Sequence, residues 1–186
     1  YFILERGRAS VTEIHPFQGI HYNQSLISDA MAVICPPYDI ISPQLQQELY
    51  LKSEYNFVRI EFGREMPQDG ISDNKYTRAS AILEQWLRKG LLTADKLPSI
   101  YLHDQHFTLQ GKEYKRRGIT VRVRLEDWDK MIVRPHEGTM DSPRSDRLSL
   151  LWTLKANTSP ILAMYEDRTQ QISSLLDSSA QGQTLM

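Results

Sequence analysis

Two Ser-Pro pairs mark helix starts in this chain. Ser42 and Ser142 are suited to the N-cap, and the proline after each suits the first helical position. A third helix is indicated by an amphipathic stretch between the cap residue Asp73 and the stop residue Gly90. The predicted helices span residues 42–53, 74–89, 142–155 and, more weakly patterned, 169–176.

A hairpin separates the second and third of these helices. Gln110-Gly111-Lys112 is a turn signal, and the residues after it alternate between apolar and polar. The predicted strands span residues 11–14, 57–62, 99–109, 114–125, 131–134 and 161–165. Because helices and hairpin strands are mixed without strict alternation, the expected class is α+β, with a mixed, mostly antiparallel sheet and packed helices.

The length of 186 residues is that of one ordinary domain. We expect a single α+β domain over residues 11–177. Residues 1–10 are interpreted as a leader or a cloning remnant, and residues 178–186 as a flexible polar tail.

Composition excludes some classes of protein. The 22 Lys and Arg residues nearly balance 23 Asp and Glu, which argues against a protein that coats nucleic acid. The longest strictly apolar stretch runs only from Ala30 to Cys35, too short for a membrane span. Cys35 is the single cysteine and has no partner for an internal disulfide, which predicts a cytoplasmic location.

The densest group of polar residues leads into the helix predicted at Ser142. A loop carrying His, Glu and Thr precedes the free backbone N–H groups of a helix start, which favour an anion. The candidate catalytic residues here are His136 and Glu137, and the candidate ligand-binding residues are Thr139, Ser142, Arg144, Asp146 and Arg147. From spacing alone, a capped helix whose arginines pair with neighbouring acids is the favoured interpretation.

A second polar group follows the apolar segment that ends at Cys35. Pro36 and Pro37 make a rigid loop that holds Asp39, a candidate general base or Mg²⁺ ligand. A structural turn, with Asp39 accepting backbone hydrogen bonds, is the alternative.

Other signatures of function are weak or absent. The hairpin carries a local excess of basic residues, better explained as a solvated face than as a nucleic-acid patch. His103 and His106 fall on opposite faces of a strand, and no cysteine pair supports them, so no metal site is predicted. The chain also lacks the phosphate-loop, dinucleotide-binding and serine-hydrolase motifs.

Several segments together resemble the DUF1015 family of uncharacterised bacterial and archaeal proteins. The matching segments are His15-Pro16-Phe17-x-Gly19-x-x-Tyr22-Asn23, Pro36-Pro37-Tyr38-Asp39-Ile40-Ile41-Ser42-Pro43, Asn56-Phe57-Val58-Arg59-Ile60-Glu61-Phe62-Gly63, Tyr76-Thr77-Arg78-Ala79, Pro135-His136-Glu137-x-Thr139, Asp146-Arg147-Leu148 and Asn157-x-Ser159-Pro160-Ile161 with Tyr165. Each segment is weak alone, and their order makes the match specific.

The resemblance implies that the two polar groups are family features and share one site, to which Asn157 is added as a ligand-binding candidate. Gly138 stands where the family usually has Arg, a change that weakens an anion site. Family members are longer, so the resemblance implies an N-terminal portion or a shortened member. A fold-level analogy links the chain to ParB/sulfiredoxin-like proteins, which include nucleotide-dependent kinases of free serine.

Two hypotheses of function follow. In the first, the chain binds a nucleotide, with Mg²⁺, or another phosphorylated small molecule, as a phosphotransfer-type enzyme or a degenerate relative of one. In the second, it is a non-catalytic regulatory or protein-interaction module, a truncated family member. Both leave open a homo-oligomer, and neither requires a membrane or nucleic acid.

Overall fold

The computed structural model describes residues 11–135 and 141–180, with only the backbone of Ser142. Its elements in chain order are β1 (Ile14–His15), β2 (Ile20–Tyr22), α1 (Ala30–Val33), α2 (Pro43–Lys52), α3 (Val58–Glu61), α4 (Lys75–Arg88), β3 (Leu92–Ala94), β4 (Tyr101–Leu109), β5 (Lys112–Thr120), β6 (Arg122–Val123), α5 (Asp141–Leu154) and α6 (Gln171–Ser179). The α+β class predicted from the sequence is confirmed.

The chain divides into two compact units. Within the described residues, the first comprises 11–19, 95–135 and 162–180, and the second comprises 20–94 and 141–161. The first unit contains β1 paired with β6, the β4–β5 hairpin, and α6. The second contains β2 paired with β3, and the helices α1 to α5. All strand pairs among the described residues are antiparallel.

The predicted hairpin is confirmed, with a tighter turn than expected. Leu109 pairs with Lys112, so the turn consists of Gln110 and Gly111 alone. Both have positive φ angles, 52° and 75°, as the turns that match strand twist require. Glycine adopts this conformation without steric conflict, which explains Gly111.

The predicted helix starts at α2 and α4 are confirmed in position. The Ser42 hydroxyl accepts a hydrogen bond from the Leu45 amide at 3.1 Å, with Pro43 as the first helical residue. In α4 the cap is Asn74 rather than Asp73, and it forms a reciprocal capping box with Thr77.

The fully buried apolar residues of the described chain lie in the second unit. One cluster joins α3, α4 and α5 with the segment before β3: Ile60, Ala79, Leu83, Trp86, Leu91, Leu92, Leu150 and Leu154. A smaller cluster, Ile41, Leu49 and Val58, joins α2 to α3. Burial of these side chains fixes α3, α4 and α5 against one another.

The strand predicted over residues 57–62 is wrong, because the segment forms the helical turn α3. The buried Asn56 side chain accepts from the Val58 amide at 3.0 Å and donates to the carbonyl oxygens of Ala32 and Ile34 at 2.8 and 2.9 Å. These bonds hold the chain in a turn that β-propensity alone would disfavour.

Two other predicted strands, over residues 131–134 and 161–165, are also absent from the described secondary structure. The spacing of Leu148, Leu151 and Trp152 also predicts that they form the inner face of the third long helix, and this prediction is wrong. Leu150 and Leu154 are the buried residues of α5, whereas Leu148, Leu151 and Trp152 are exposed. The two sets lie on opposite sides of the helix, and packing against α4 selects the first.

Candidate functional site

Arg147, in the second turn of α5, is fixed by the hydrogen bonds that it donates to α3 and to its own helix. Its Nη1 donates to Glu61 Oε1 at 3.0 Å, and its Nη2 donates to the Glu61 carbonyl oxygen at 3.1 Å. Its Nε and Nη2 donate to Asp146 Oδ2 at 2.9 and 2.5 Å. The guanidinium carbon lies 4.0 Å from the centroid of the Tyr38 ring, a cation–π contact. Arg147 therefore cannot change rotamer without losing several charge-assisted bonds.

Asp146 receives two further donors from the start of α4. Lys75 Nζ lies 2.8 Å from Asp146 Oδ1, and the Tyr76 hydroxyl donates to the same oxygen at 2.9 Å. Lys75 also contacts Glu65 at 2.9 Å. The start of α4 and the start of α5 are thus joined through one carboxylate.

Glu61 is the most enclosed charge of the site. Its side chain is 5% exposed, and its Oε1 also accepts a hydrogen bond from the Ser159 hydroxyl. Its Oε2 is buried and has no hydrogen-bond partner among the described residues. Glu61 lines a cavity of about 10 Å³, room for about one water molecule, together with Gly63, Lys75, Tyr76 and Arg147. An unpaired buried carboxylate oxygen is costly, so this acceptor is available to a hydroxyl or a water molecule.

We call these side chains the Glu61–Arg147 network: Tyr38, Glu61, Lys75, Tyr76, Asp146, Arg147 and Ser159. Its formal charges cancel, with two carboxylates against one ammonium and one guanidinium. All seven residues belong to the second unit.

Burial and pairing oppose each other at Asp146. Burial raises the pKa of this carboxyl, but hydrogen bonds from Lys75, Arg147 and Tyr76 outweigh it, and the pKa lies below its usual value. At Lys75 burial lowers the pKa, and the pairs with Asp146 and Glu65 raise it overall. Burial and the bond to Asp146 raise the pKa of Tyr76. Asp146 and Lys75 are therefore both charged, and Tyr76 is neutral, at neutral pH.

Cys35 is not a reactive thiol in this setting. Burial, followed by the negative charge of Glu61, raises the pKa of Cys35 to about 11. The thiolate is the nucleophilic form, so the group is almost wholly inactive at neutral pH.

The structure unites part of the predicted site. Asp146 and Arg147 lie in the network, and Tyr38 brings the turn that carries Asp39 to Arg147. Asp39, Arg144 and Asn157 are exposed, and none makes a hydrogen bond or ion pair with a described side chain. Arg144 is three residues before Arg147 but is exposed, whereas Arg147 is held in the network. His136, Glu137 and Thr139 lie outside the described residues, as does the side chain of Ser142.

Sequence reasoning missed Glu61, Lys75, Tyr76, Tyr38 and Ser159 as site residues. The strand predicted over residues 57–62 includes Glu61 and gives no indication of its pairing with a residue 86 positions away. A usable signal existed, because all of the missed residues except Lys75 lie in segments that carry the family resemblance.

Comparison with known proteins gives one match. The family model DUF1015, described as a protein of unknown function, matches residues 14–186. Neither the curated proteins nor the solved structures gave a match. Among the described residues, no helix is long and apolar enough to cross a membrane, and no group of three or more His, Cys, Asp or Glu is arranged to hold a metal ion.

Proposed function

This chain belongs to the DUF1015 family of proteins of unknown function, and we propose that it binds a small phosphorylated molecule, such as a nucleotide, beside the Glu61–Arg147 network. One observation carries the proposal. The two polar segments that the sequence marks separately, around Tyr38 and around Arg147, meet with the guanidinium 4.0 Å from the ring centroid.

The chemistry of the network suits a phosphoryl group with a nearby hydroxyl. Arg147 and Lys75 are the cation types that bind phosphoryl oxygens, and Arg147 is already held in place, which lowers the entropy lost on binding. The unpaired Oε2 of Glu61 would accept a hydrogen bond from a ligand hydroxyl. Asp39, exposed in the same turn as Tyr38, would act as a base or as a Mg²⁺ ligand.

This proposal covers both an active phosphotransfer enzyme and a relative that only binds. It also includes a cytoplasmic location, since Cys35 is a lone, half-buried thiol in a chain with no other cysteine.

Thermal unfolding and calorimetric titration test the proposal. The panel is inorganic phosphate, AMP, ADP, ATP and GTP, each with and without Mg²⁺. A ligand at a hundred times its Kd stabilises the folded chain by about 2.7 kcal/mol, which raises Tm by about 5 to 10 °C in a chain of this size. No heat and no rise in Tm across the panel would contradict the proposal.

Lys75→Gln locates the site. The substitution removes one cation and leaves Arg147 with both of its carboxylate partners. Because one charge-assisted hydrogen bond to the ligand is lost, we expect binding to be at least about tenfold weaker. The matched control is Lys89→Gln, at the exposed far end of α4, which should bind as the unmodified chain does. Equal weakening by both variants, or by neither, would place the site elsewhere.

A second candidate function, a protein-interaction module, is favoured by a separate observation. Leu148, Leu151 and Trp152 of α5 are 47, 39 and 64% exposed, although the same helix already buries Leu150 and Leu154. A helix that is apolar on two sides is typical of one that packs on two sides.

A further inference from the structure

The exposed side of α5 carries a continuous row of residues with seven-residue spacing. At 100° per residue, every residue within about 60° of Leu148 around the helix is exposed. These residues, which we call the α5 stripe, are Asp141, Arg144, Ser145, Leu148, Leu151 and Trp152 of α5 together with Lys155, the residue directly after the helix, whose amide still donates to the Leu151 carbonyl oxygen at 2.9 Å. The stripe has an apolar centre and charged ends.

We propose that the α5 stripe is a self-association surface that pairs antiparallel with the same stripe of a second copy, about a two-fold axis at Leu148. A two-fold interface places one patch against itself, so the patch must be self-complementary. This inference is independent of the proposed ligand site, because no stripe residue belongs to the Glu61–Arg147 network.

The charges of the stripe select the antiparallel arrangement. With Leu148 opposite Leu148, Asp141 of one copy lies opposite Lys155 of the other, and this pair forms twice. A parallel arrangement would instead place Asp141 on Asp141 and Lys155 on Lys155, which is repulsive. The order of charges along α5 therefore matches a second copy in one orientation only.

The apolar and aromatic groups match in the same register. Arg144 lies opposite Trp152 of the second copy, where a guanidinium can stack on an indole face. Within one chain the other nearby cation, Lys155, has its Nζ 4.8 Å from the Trp152 ring centroid. Ser145 lies opposite Leu151, a small residue against a larger one. At the centre, Leu148 and Leu151 then contact apolar groups of the second copy and are removed from water.

Light scattering during size-exclusion chromatography tests association. A single helix of 14 residues per copy makes a small interface. The fraction of dimer should therefore rise as the protein concentration is raised from about 1 µM to 1 mM. Leu148→Glu places two like charges on the axis and should weaken the dimer about tenfold or more. Leu51→Glu, on the exposed side of α2, is the matched control and should show the same molar mass by light scattering as the unmodified chain at each concentration. A strict monomer over this range, or a dimer insensitive to Leu148→Glu, would overturn the proposal.

A charge swap tests the orientation. Asp141→Lys alone should weaken the dimer by facing Lys155 of the second copy, and Lys155→Asp added to it should restore the dimer. The length of α5, about 21 Å, separates the two positions within one chain, so restoration cannot arise within a chain. Failure of the double variant to restore association would overturn the antiparallel register.

Oxidative cross-linking gives an independent readout. Leu148→Cys lies on the proposed axis and should form a covalent dimer, whereas Leu51→Cys should not. Circular dichroism of each variant checks that helical content is retained. Equal cross-linking of both variants would overturn the proposed axis.

Discussion

At the scale of single residues, Arg147 connects the observations about the site. Its guanidinium donates to a carboxylate from α3 and one from α5, and it covers the ring of Tyr38. The cluster of polar residues around the predicted helix start included Asp146 and Arg147 among the candidates. The pairing of Arg147 with Glu61 could not be predicted from local spacing, because nothing local in an apolar segment reveals an ion pair formed 86 residues away.

The pairing of Asp146 makes stability depend on pH in a defined direction. Its pKa is lowered in the folded chain, so its contribution is complete above the unfolded value of about 4 and is lost as pH falls through the folded pKa. Asp146→Asn should lower the free energy of unfolding at pH 7 by about 1.5 to 3 kcal/mol, the value of hydrogen bonds to a charged group.

Urea unfolding of the unmodified chain and of Asp146→Asn, at pH 7 and near pH 3, measures this contribution. The difference between their free energies of unfolding should shrink at the lower pH, where the Asp146 carboxyl of the unmodified chain begins to take up a proton. Asp39→Asn, an exposed control in the same unit, should change stability by less than about 0.5 kcal/mol at either pH. An Asp146→Asn difference that stays constant with pH would show that the ionised form is not what stabilises the fold.

At the scale of elements, local sequence signals predicted the long helices and the hairpin correctly but failed on short segments. Caps and turn residues at Ser42, Gly90 and Gly111 act within a few residues, so α2, α4 and the hairpin were predictable. The segment 57–62 has β-prone residues, but the side chain of Asn56 folds it into α3 through bonds to residues more than 20 positions away. Tertiary contacts override propensity there.

Asn56→Ala tests that explanation of α3. Asn56 is fully buried, and its loss leaves two carbonyl oxygens and one amide without their partner. We expect the free energy of unfolding to fall by about 2 to 4 kcal/mol, because a hydrogen bond at the start of α3 is lost and several buried groups are left unsatisfied. Urea denaturation measures the change, with the exposed Asn157→Ala as control. A loss below about 1 kcal/mol would mean that the apolar cluster alone holds α3.

At the scale of the whole molecule, the α+β class followed from the order of helix and hairpin signals. The face of α5 that is buried did not, because Leu148, Leu151 and Trp152 look as suitable for a core as Leu150 and Leu154. Only packing against α4 decides between them, and the rejected face remains as the α5 stripe. The molecule thus has two candidate functional surfaces to test, a charged network and an apolar stripe.

The most direct test of the network as a binding site is a titration of the ¹⁵N-labelled chain, followed through its amide resonances, with the nucleotide that raises Tm most. The account predicts shifts concentrated at Tyr38, Asp39, Gly63, Tyr76 and Arg147, in the turn before α2, the end of α3, and the starts of α4 and α5. Shifts confined to the basic hairpin β4–β5, or no shifts at saturating ligand, would contradict it.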